Sequence, residues 1–253
     1  FTTRDHIKSE TNIIDMIKTG KDILDTKRDG KLGVILGTQD TSMIGAELER
    51  LATLREDGLR TVQLTYNNRN LSGDGAIEPA NAGLSKLGHA TIEAIEAEKL
   101  LLDLSHGGAQ TMQDAVEAAK RPLTVSHTGA RALADHPRNV SDDLIRKVAD
   151  GGGVVGVYFM PYLVMSMEPS AEDVIAHIEH IANVGALAEH ERFAGASDDT
   201  SELATDDDIA DDSNGGIDNP ADNDEYDLAQ IPVVQEFDLA IRKVLADTPP
   251  FAA

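Results

Sequence analysis

Residues 100–139 decide the fold. They read Leu100-Leu-Leu-Asp-Leu-Ser-His106-Gly-Gly108, then a helical run from Ala109 to Arg121. Pro122-Leu-Thr-Val-Ser-His127 follows, and shortly after it His136-Pro-Arg-Asn139. Twice a short apolar run of strand type ends in Ser-His. A strand that leaves a core carries its last side chain to the mouth of the fold. Two imidazoles placed that way, on neighbouring parallel strands joined by one helix, would lie a few ångströms apart, as in a metal pair or a metal and a base. A single histidine at a strand end is usually just a hydrogen-bonded residue. Its repetition within one βαβ unit is what brings metal ligation into view, because a neutral imidazole offers a lone pair at physiological pH.

Outward from this unit the same alternation continues. Residues 5 to 28 carry Ile7, Ile13, Ile14, Met16, Ile17, Ile23 and Leu24 at helical spacing, ended by Asp29-Gly30. Lys31 to Gly37 is a continuous apolar run, as in a strand buried on both faces. Thr41 to Asp57 returns to helical spacing, and Arg60 to Tyr66 reads as a strand. Asn67 to Gly83 is rich in Asn, Gly and Pro, a loop long enough to be functional. Leu84 to Lys99 predicts a helix, Leu100 to Ser105 a strand, Ala109 to Lys120 a helix and Leu123 to Ser126 a strand. Ser141-Asp-Asp opens another helix with an N-cap and an acidic first turn, and Gly151-Gly-Gly stops it. Val154 to Phe159 is a strand, Ser170 to Asp173 a capping box for a helix to Val184, and Arg192 to Ser197 a short strand.

About six such alternations predict a parallel sheet with crossover helices. A (β/α)8 barrel and a doubly wound sheet both fit, but no Gly-x-Gly-x-x-Gly follows the first strand, which disfavours a dinucleotide fold. Gln39, Tyr66, His106, His127 and Asp198 fall at strand C-termini, where a barrel carries its active site. Beyond Asp198 the core pattern stops. Residues 198 to 227 hold a dense Asp series without the register of an EF-hand loop, and Val233 to Leu245 is a terminal amphipathic helix. The expected organisation is a barrel over residues 1–198, an acidic loop or insertion over 199–232, and a helix and tail of the same domain over 233–253.

The chain has 253 residues, 41% of them hydrophobic, with no Trp and no Cys, so its core must be aliphatic. Without thiols, any metal must be held by His, Asp, Glu or other oxygen donors, a set that suits zinc or another divalent ion. The net charge of -23, from 45 acidic and 22 basic residues, argues against a nucleic-acid binder, which needs a basic face. Such a surface stays soluble by self-repulsion and needs salt to screen it, as in a halophile's protein; an ordinary acidic cytosolic protein is the alternative. No run of 18 apolar residues suggests a transmembrane helix, and the start is not a signal peptide, so a cytoplasmic location is expected. The chain does not begin with Met, as a fragment or a processed form would not.

These residues resemble the membrane (renal-type) dipeptidases, metallopeptidase family M19. The resemblance rests on an ordered set of phrases over residues 31 to 200. It comprises Leu64-Thr-Tyr-Asn67, Gly83-Leu-Ser, Leu102-Asp-Leu-Ser-His106, Val125-Ser-His127, His136-Pro-Arg-Asn139 and Asp142-Asp143, and further on Gly152-Gly-Val-Val-Gly156, His177-Ile-Glu-His180 and Ala196-Ser-Asp198. It implies a (β/α)8 TIM-type barrel of the amidohydrolase kind, two zinc ions and the cleavage of dipeptides by metal-activated water. His106 and His127 match the histidines of the second zinc, Asp198 the aspartate that takes and returns the proton, and Arg138 the arginine that grips the substrate carboxylate. A bidentate guanidinium suits that grip.

Three departures stand out. The family's His-x-Asp on the first strand is not found, since Asp5-His6 is in the wrong order, so the barrel looks incomplete at that strand. The bridging glutamate of the metal pair is here Gln39, a poor bridge between cations. Tyr66 stands where the family commonly has His, and can still donate a hydrogen bond to substrate. The expected protein is therefore a zinc-dependent dipeptidase-like hydrolase of impaired activity, with a small dipeptide as its partner and a homodimer as the candidate assembly. A non-catalytic barrel with one metal or none, and another amidohydrolase activity such as lactone hydrolysis, are the alternatives.

Overall fold

Parallel strand pairing dominates the structure, a computed structural model that describes residues 13–166 and 168–195, with side chains as far as residue 186. A main sheet has the order β3-β4-β5-β6-β7, and β1 and β2 form a separate pair. The strands are β1 Ile14–Met16, β2 Leu32–Val34, β3 Leu36–Thr38, β4 Leu59–Gln63, β5 Leu101–Asp103, β6 Thr124–Thr128 and β7 Val154–Val157. Every pairing is parallel, as the alternation predicts. The described residues form an open sheet, so the closed barrel expected from the resemblance is not completed within them. Asp5-His6, Asp198, the acidic segment 199–232 and the terminal helix lie outside the described residues.

The first correction falls on residues 5 to 28. The helical reading fails at Ile14–Met16, which is strand β1 paired with Leu32–Val34. Apolar residues at 13, 14, 16 and 17 imitate a helical stripe, but Thr19 marks the true helix start. Its side chain accepts from the Asp22 amide at 3.2 Å, and Asp22 accepts from the Thr19 amide at 2.9 Å. That capping box starts α1, Gly20–Arg28.

The run from Lys31 to Gly37 is likewise two strands, broken at Ile35, because β2 pairs with β1 while β3 pairs with β4. The helix read over Thr41 to Asp57 shrinks to α2, Arg50–Glu56. Asp40 accepts from both the amide and the hydroxyl of Ser42, a turn that competes with helix, and Gly45 has φ 58°.

The later elements follow the sequence reading more closely. Helix α3, Lys86–Ala97, is capped by Ser85, and α5, Asp142–Asp150, by Ser141 through the Leu144 amide at 3.3 Å. Helix α4 spans Ala109–Ala118. Helix α6 opens at the expected Ser170–Asp173 box but runs over Ala171–Gly195, well past Val184. The strand read over Arg192 to Ser197 is therefore helix as far as Gly195; the run that leads into it, Ala186 to Glu191, is rich in Ala and Glu, which favour helix.

One face of the sheet packs on the helices. Val62, Leu64, Leu102, Leu104 and Val125 meet Leu51, Ile92, Ile95, Met112, Ile145 and Val148 in a single aliphatic core. Fully burying each such side chain stabilises the fold by about 1.5–3 kcal/mol. On the opposite face Leu101 and Val154 stay exposed, but the same face turns polar toward the strand C-termini. There Gln63, Asp103 and Ser126 follow one another across β4, β5 and β6, since Gln63 pairs with Asp103 and Asp103 with Thr124. None of the described helices is long and apolar enough to cross a membrane.

Candidate active site

Because the strands are parallel, their C-termini share one edge. His106 leaves β5 at that edge, and His127 lies in β6 beside it. The two ring centroids are 4.8 Å apart in an edge-on arrangement, and Tyr66 stacks on His106 at 4.2 Å. His106 is buried and has φ 67°, the left-handed region that side chains rarely adopt. The turn into α4 imposes it: the Ala76 amide donates to the His106 carbonyl at 2.7 Å, and at Gly107 an added Cβ would press on Met112. Strain of this kind persists where the surroundings fix it, and it clusters at functional sites.

Asn67 settles where the His106 proton sits. Arg138 Nη1 donates to Asn67 Oδ1 at 3.4 Å, so the amide oxygen faces this side. The same oxygen lies 2.8 Å from His106 Nδ1, which therefore carries hydrogen and donates. The other ring nitrogen keeps its lone pair. Burial, then the positive charge of Arg138 and the neighbouring His127, pushes the His106 pKa down to about 3, so the ring is neutral at pH 7. Burial also lowers the pKa of His127, against the pull of Asp103. His127 Nδ1 lies 2.8 Å from Ser126 Oγ, while its Nε2 is buried with no hydrogen-bond partner among the described residues.

Arg138 is buried at 6% exposure, and among the described residues no carboxylate pairs with it. Its guanidinium lies 5.8 Å from the centre of the Tyr158 ring, and Nε has no hydrogen-bond partner among the described residues. The backbone holds it in place: the Arg138 carbonyl accepts from Thr128 Oγ1 at 2.9 Å, and its amide donates to His136 Nδ1 at 3.1 Å. Burial lowers its pKa. Burial likewise raises that of Tyr158, whose hydroxyl donates to Asn139 Oδ1 at 2.7 Å.

The structure thus brings Tyr66, His106, His127 and Arg138 together. Gln39 follows β3 at the same sheet edge and is exposed, its carbonyl held by Gln63 Nε2 at 2.6 Å. Four partners escape the sequence reading: Asn67, Asp103, Ser126 and Tyr158. Asn67, Asp103 and Ser126 all lie in the phrases that carry the resemblance, but the bonds that give them a role join positions as far as 71 residues apart. The donor chemistry fits a divalent ion in part. Two neutral imidazoles, one with an orphaned Nε2, are half of a tetrahedral zinc set. No cluster of three or more His, Asp or Glu is found among the described residues.

Residues 2–202 match the family model of the membrane dipeptidases, peptidase family M19. The chain belongs to this family. An uncharacterized dipeptidase of Schizosaccharomyces pombe is 31% identical over 168 residues, 65% of this chain and 41% of that protein. A dipeptidase of Clonostachys rogersoniana is 24% identical over 179 residues, 70% of this chain and 46% of that protein. The chain therefore spans less than half the length of these curated relatives of the M19 family. Among solved structures, an amidohydrolase from Pseudomonas aeruginosa is 29% identical, with a TM-score of 0.69 over 72% of this chain and 56% of that one. A metallopeptidase from Rhodobacter sphaeroides, liganded with a phosphinate mimic of the dipeptide L-Ala-D-Ala, is 23% identical, with a TM-score of 0.65 over 70% of this chain and 54% of that one.

Proposed function

We propose that this M19 chain carries the substrate-binding half of a metal-dependent dipeptide hydrolase. The buried guanidinium of Arg138, which pairs with no carboxylate among the described residues, carries this reading. A buried cation without an anion costs several kcal/mol, roughly, unless something negative joins it. A free α-carboxylate is the anion a dipeptide offers, and a guanidinium takes it with two parallel hydrogen bonds. His106 and His127 would hold a zinc ion through the nitrogens that carry no proton. Bound there, the ion supplies an activated water and polarises the amide carbonyl. Tyr66, exposed at its outer side and stacked on His106, is set to donate a hydrogen bond to substrate. Asp198, outside the described residues, is the group proposed to pass the proton to the leaving amine.

Gln39 favours a second reading, a barrel that binds substrate but turns it over poorly or not at all. A neutral amide at the metal-bridging position leaves two cations less neutralised than a carboxylate would. One test covers both readings. The chain, supplied with zinc, is offered a panel of dipeptides, their N-acetyl amides and lactones, with binding and product followed separately. Binding of free-carboxylate dipeptides that the amides do not share supports the Arg138 reading, and turnover decides between enzyme and inactive relative. Equal binding of the amides would refute it.

A further inference from the structure

The histidine His127 does not act alone, because a carboxylate stands behind it. Asp103 lies on the face of β5 turned away from the helices, at 5% exposure, and accepts four hydrogen bonds. Two come to Oδ1 from the amide and hydroxyl of Ser105, at 2.9 and 2.7 Å. A third comes to Oδ1 from the Ser126 amide at 3.1 Å, and the fourth to Oδ2 from the Ser126 hydroxyl at 2.5 Å. Ser105 Oγ also accepts from the His127 amide at 3.1 Å. Both serines of the repeated Ser-His pair thus converge on one aspartate, three residues before His106.

Proton counting along this chain of bonds fixes the histidine ring. Ser126 has one hydroxyl hydrogen, and the short bond to Asp103 takes it. Toward His127 Nδ1, at 2.8 Å, the same oxygen can then only accept. The ring hydrogen therefore sits on Nδ1, and Nε2 presents a lone pair. Reversing the arrangement would break the charge-assisted bond to Asp103 and would leave Nε2–H as a buried donor without a partner. An orphaned acceptor has another remedy, since a cation can satisfy it.

We propose that Asp103 is a positioning residue that acts through Ser126 to hold His127 in the Nδ1–H form and aim its Nε2 lone pair at the metal position. The inference rests on the reading of His127 as a metal ligand. It gives the repeated Ser-His motif a purpose that sequence alone does not. The serine before His127 relays the carboxylate, and the serine before His106 ties the same carboxylate to the backbone of β6. Partners of this kind typically change metal affinity by about 10–100-fold when removed.

The test uses the whole chain with 15N-labelled histidine. Two-bond 1H–15N correlations on metal-free protein assign the His127 tautomer, and zinc titration calorimetry gives the affinity. In the parent, His127 is expected as Nδ1–H. Ser126→Ala, which leaves the three other bonds to Asp103 intact, should shift the ring toward Nε2–H and weaken zinc by about 10–100-fold. Ser126→Thr, which keeps the hydroxyl, should restore both. Asp103→Asn should weaken zinc in the same direction, although it also loosens the β5–β6 link. An Nε2–H ring in the parent overturns the proposal, as does a Ser126→Ala variant with unchanged tautomer and affinity. If the parent binds no zinc, the ligand reading fails and the aiming role with it, while the tautomer measurement still reports whether Asp103 and Ser126 set the ring.

Discussion

Replacing Arg138 by Met should make this protein more stable and less able to bind a dipeptide. The guanidinium is 6% exposed, and three things favour it in the free protein: a 3.4 Å hydrogen bond to Asn67, the Tyr158 ring at 5.8 Å and the packing of its stem. The hydrogen bond is worth about 0.5–1.5 kcal/mol and the ring contact about 0.5–2 kcal/mol. Against them stands the loss of hydration, several kcal/mol for a buried ion even after relaxation, at about that order. Met keeps most of the apolar stem volume and removes the charge. The expected change is a gain of about 1 kcal/mol or more in unfolding free energy, read from the urea midpoint at unchanged slope. Affinity for a free dipeptide should fall by an amount typical of truncating a buried charge pair, about 2–5 kcal/mol, or roughly 30-fold to several thousand-fold. Calorimetry with the zinc-loaded chain measures it. A variant destabilised by more than about 1 kcal/mol would refute the reasoning, because the guanidinium would then be doing structural work that its contacts do not show.

Acid should destabilise the metal-free protein through His106. Its folded pKa of about 3 lies below the ordinary 6.5, so the unfolded state binds the proton first; the stability its burial allows is full above pH 6.5 and is lost as pH falls toward 3. Urea midpoints at pH 7 and pH 4.5 for parent and His106→Gln check this, and an equal loss in both would exclude His106 as the cause. Gln39→Glu should raise zinc content and dipeptide turnover together, measured by metal analysis and product formation, and no change in either would remove residue 39 from the metal bridge. Added salt should stabilise the chain, because a net charge of -23 repels itself and the Debye length falls from about 10 Å at 0.1 M to about 3 Å at 1 M. A melting temperature that is flat or falling between 0.1 and 2 M KCl would count against a halophile's surface.

The parallel α/β fold was legible where local chemistry and tertiary packing agree. Ser85, Ser141 and Ser170 announce their helices because each cap uses an amide three residues on, within reach of a sequence window. The Ser-His strand ends were legible for a similar reason, as a short apolar run followed by a polar residue. The errors sit where a distant partner decides. Ile14–Met16 is a strand only because Leu32–Val34 lies beside it, and nothing in Ile-Asp-Met says so. The stretch after Thr41 turns instead of continuing as helix, and Thr41 is held from a distance, its hydroxyl donating to the Leu64 carbonyl 23 residues away. Asn67 acquires its role from His106 and Arg138, 39 and 71 residues on. Sequence could name the histidines but not the groups that set their protons.

A pattern in the unmet hydrogen bonds ties the fold to the proposed function. Buried side-chain polar atoms normally find partners, and each exception calls for a cause. Among the described residues the buried atoms without one are Thr38 Oγ1, Thr65 Oγ1, His127 Nε2, Arg131 Nε and Arg138 Nε. Arg131 is no true exception, since its guanidinium also meets Asp135 at 3.1 Å. Of the other four, Thr38, Thr65 and His127 lie in or just beyond the C-terminal ends of β3, β4 and β6, and Arg138 lies in the loop that follows β6. An unmet group costs about 1–3 kcal/mol, more when charged, so this edge is held at a loss that the aliphatic core on the other face must offset. The losses are also of two kinds: a lone pair on His127 calls for a cation, and the guanidinium of Arg138 calls for an anion. A metal ion with a free carboxylate beside it answers both at once, and either ligand alone answers one. Zinc and dipeptide should therefore each raise the unfolding free energy, by about 2.7 kcal/mol at a hundred times its dissociation constant. Arg138→Met should abolish the dipeptide's share and leave zinc's intact.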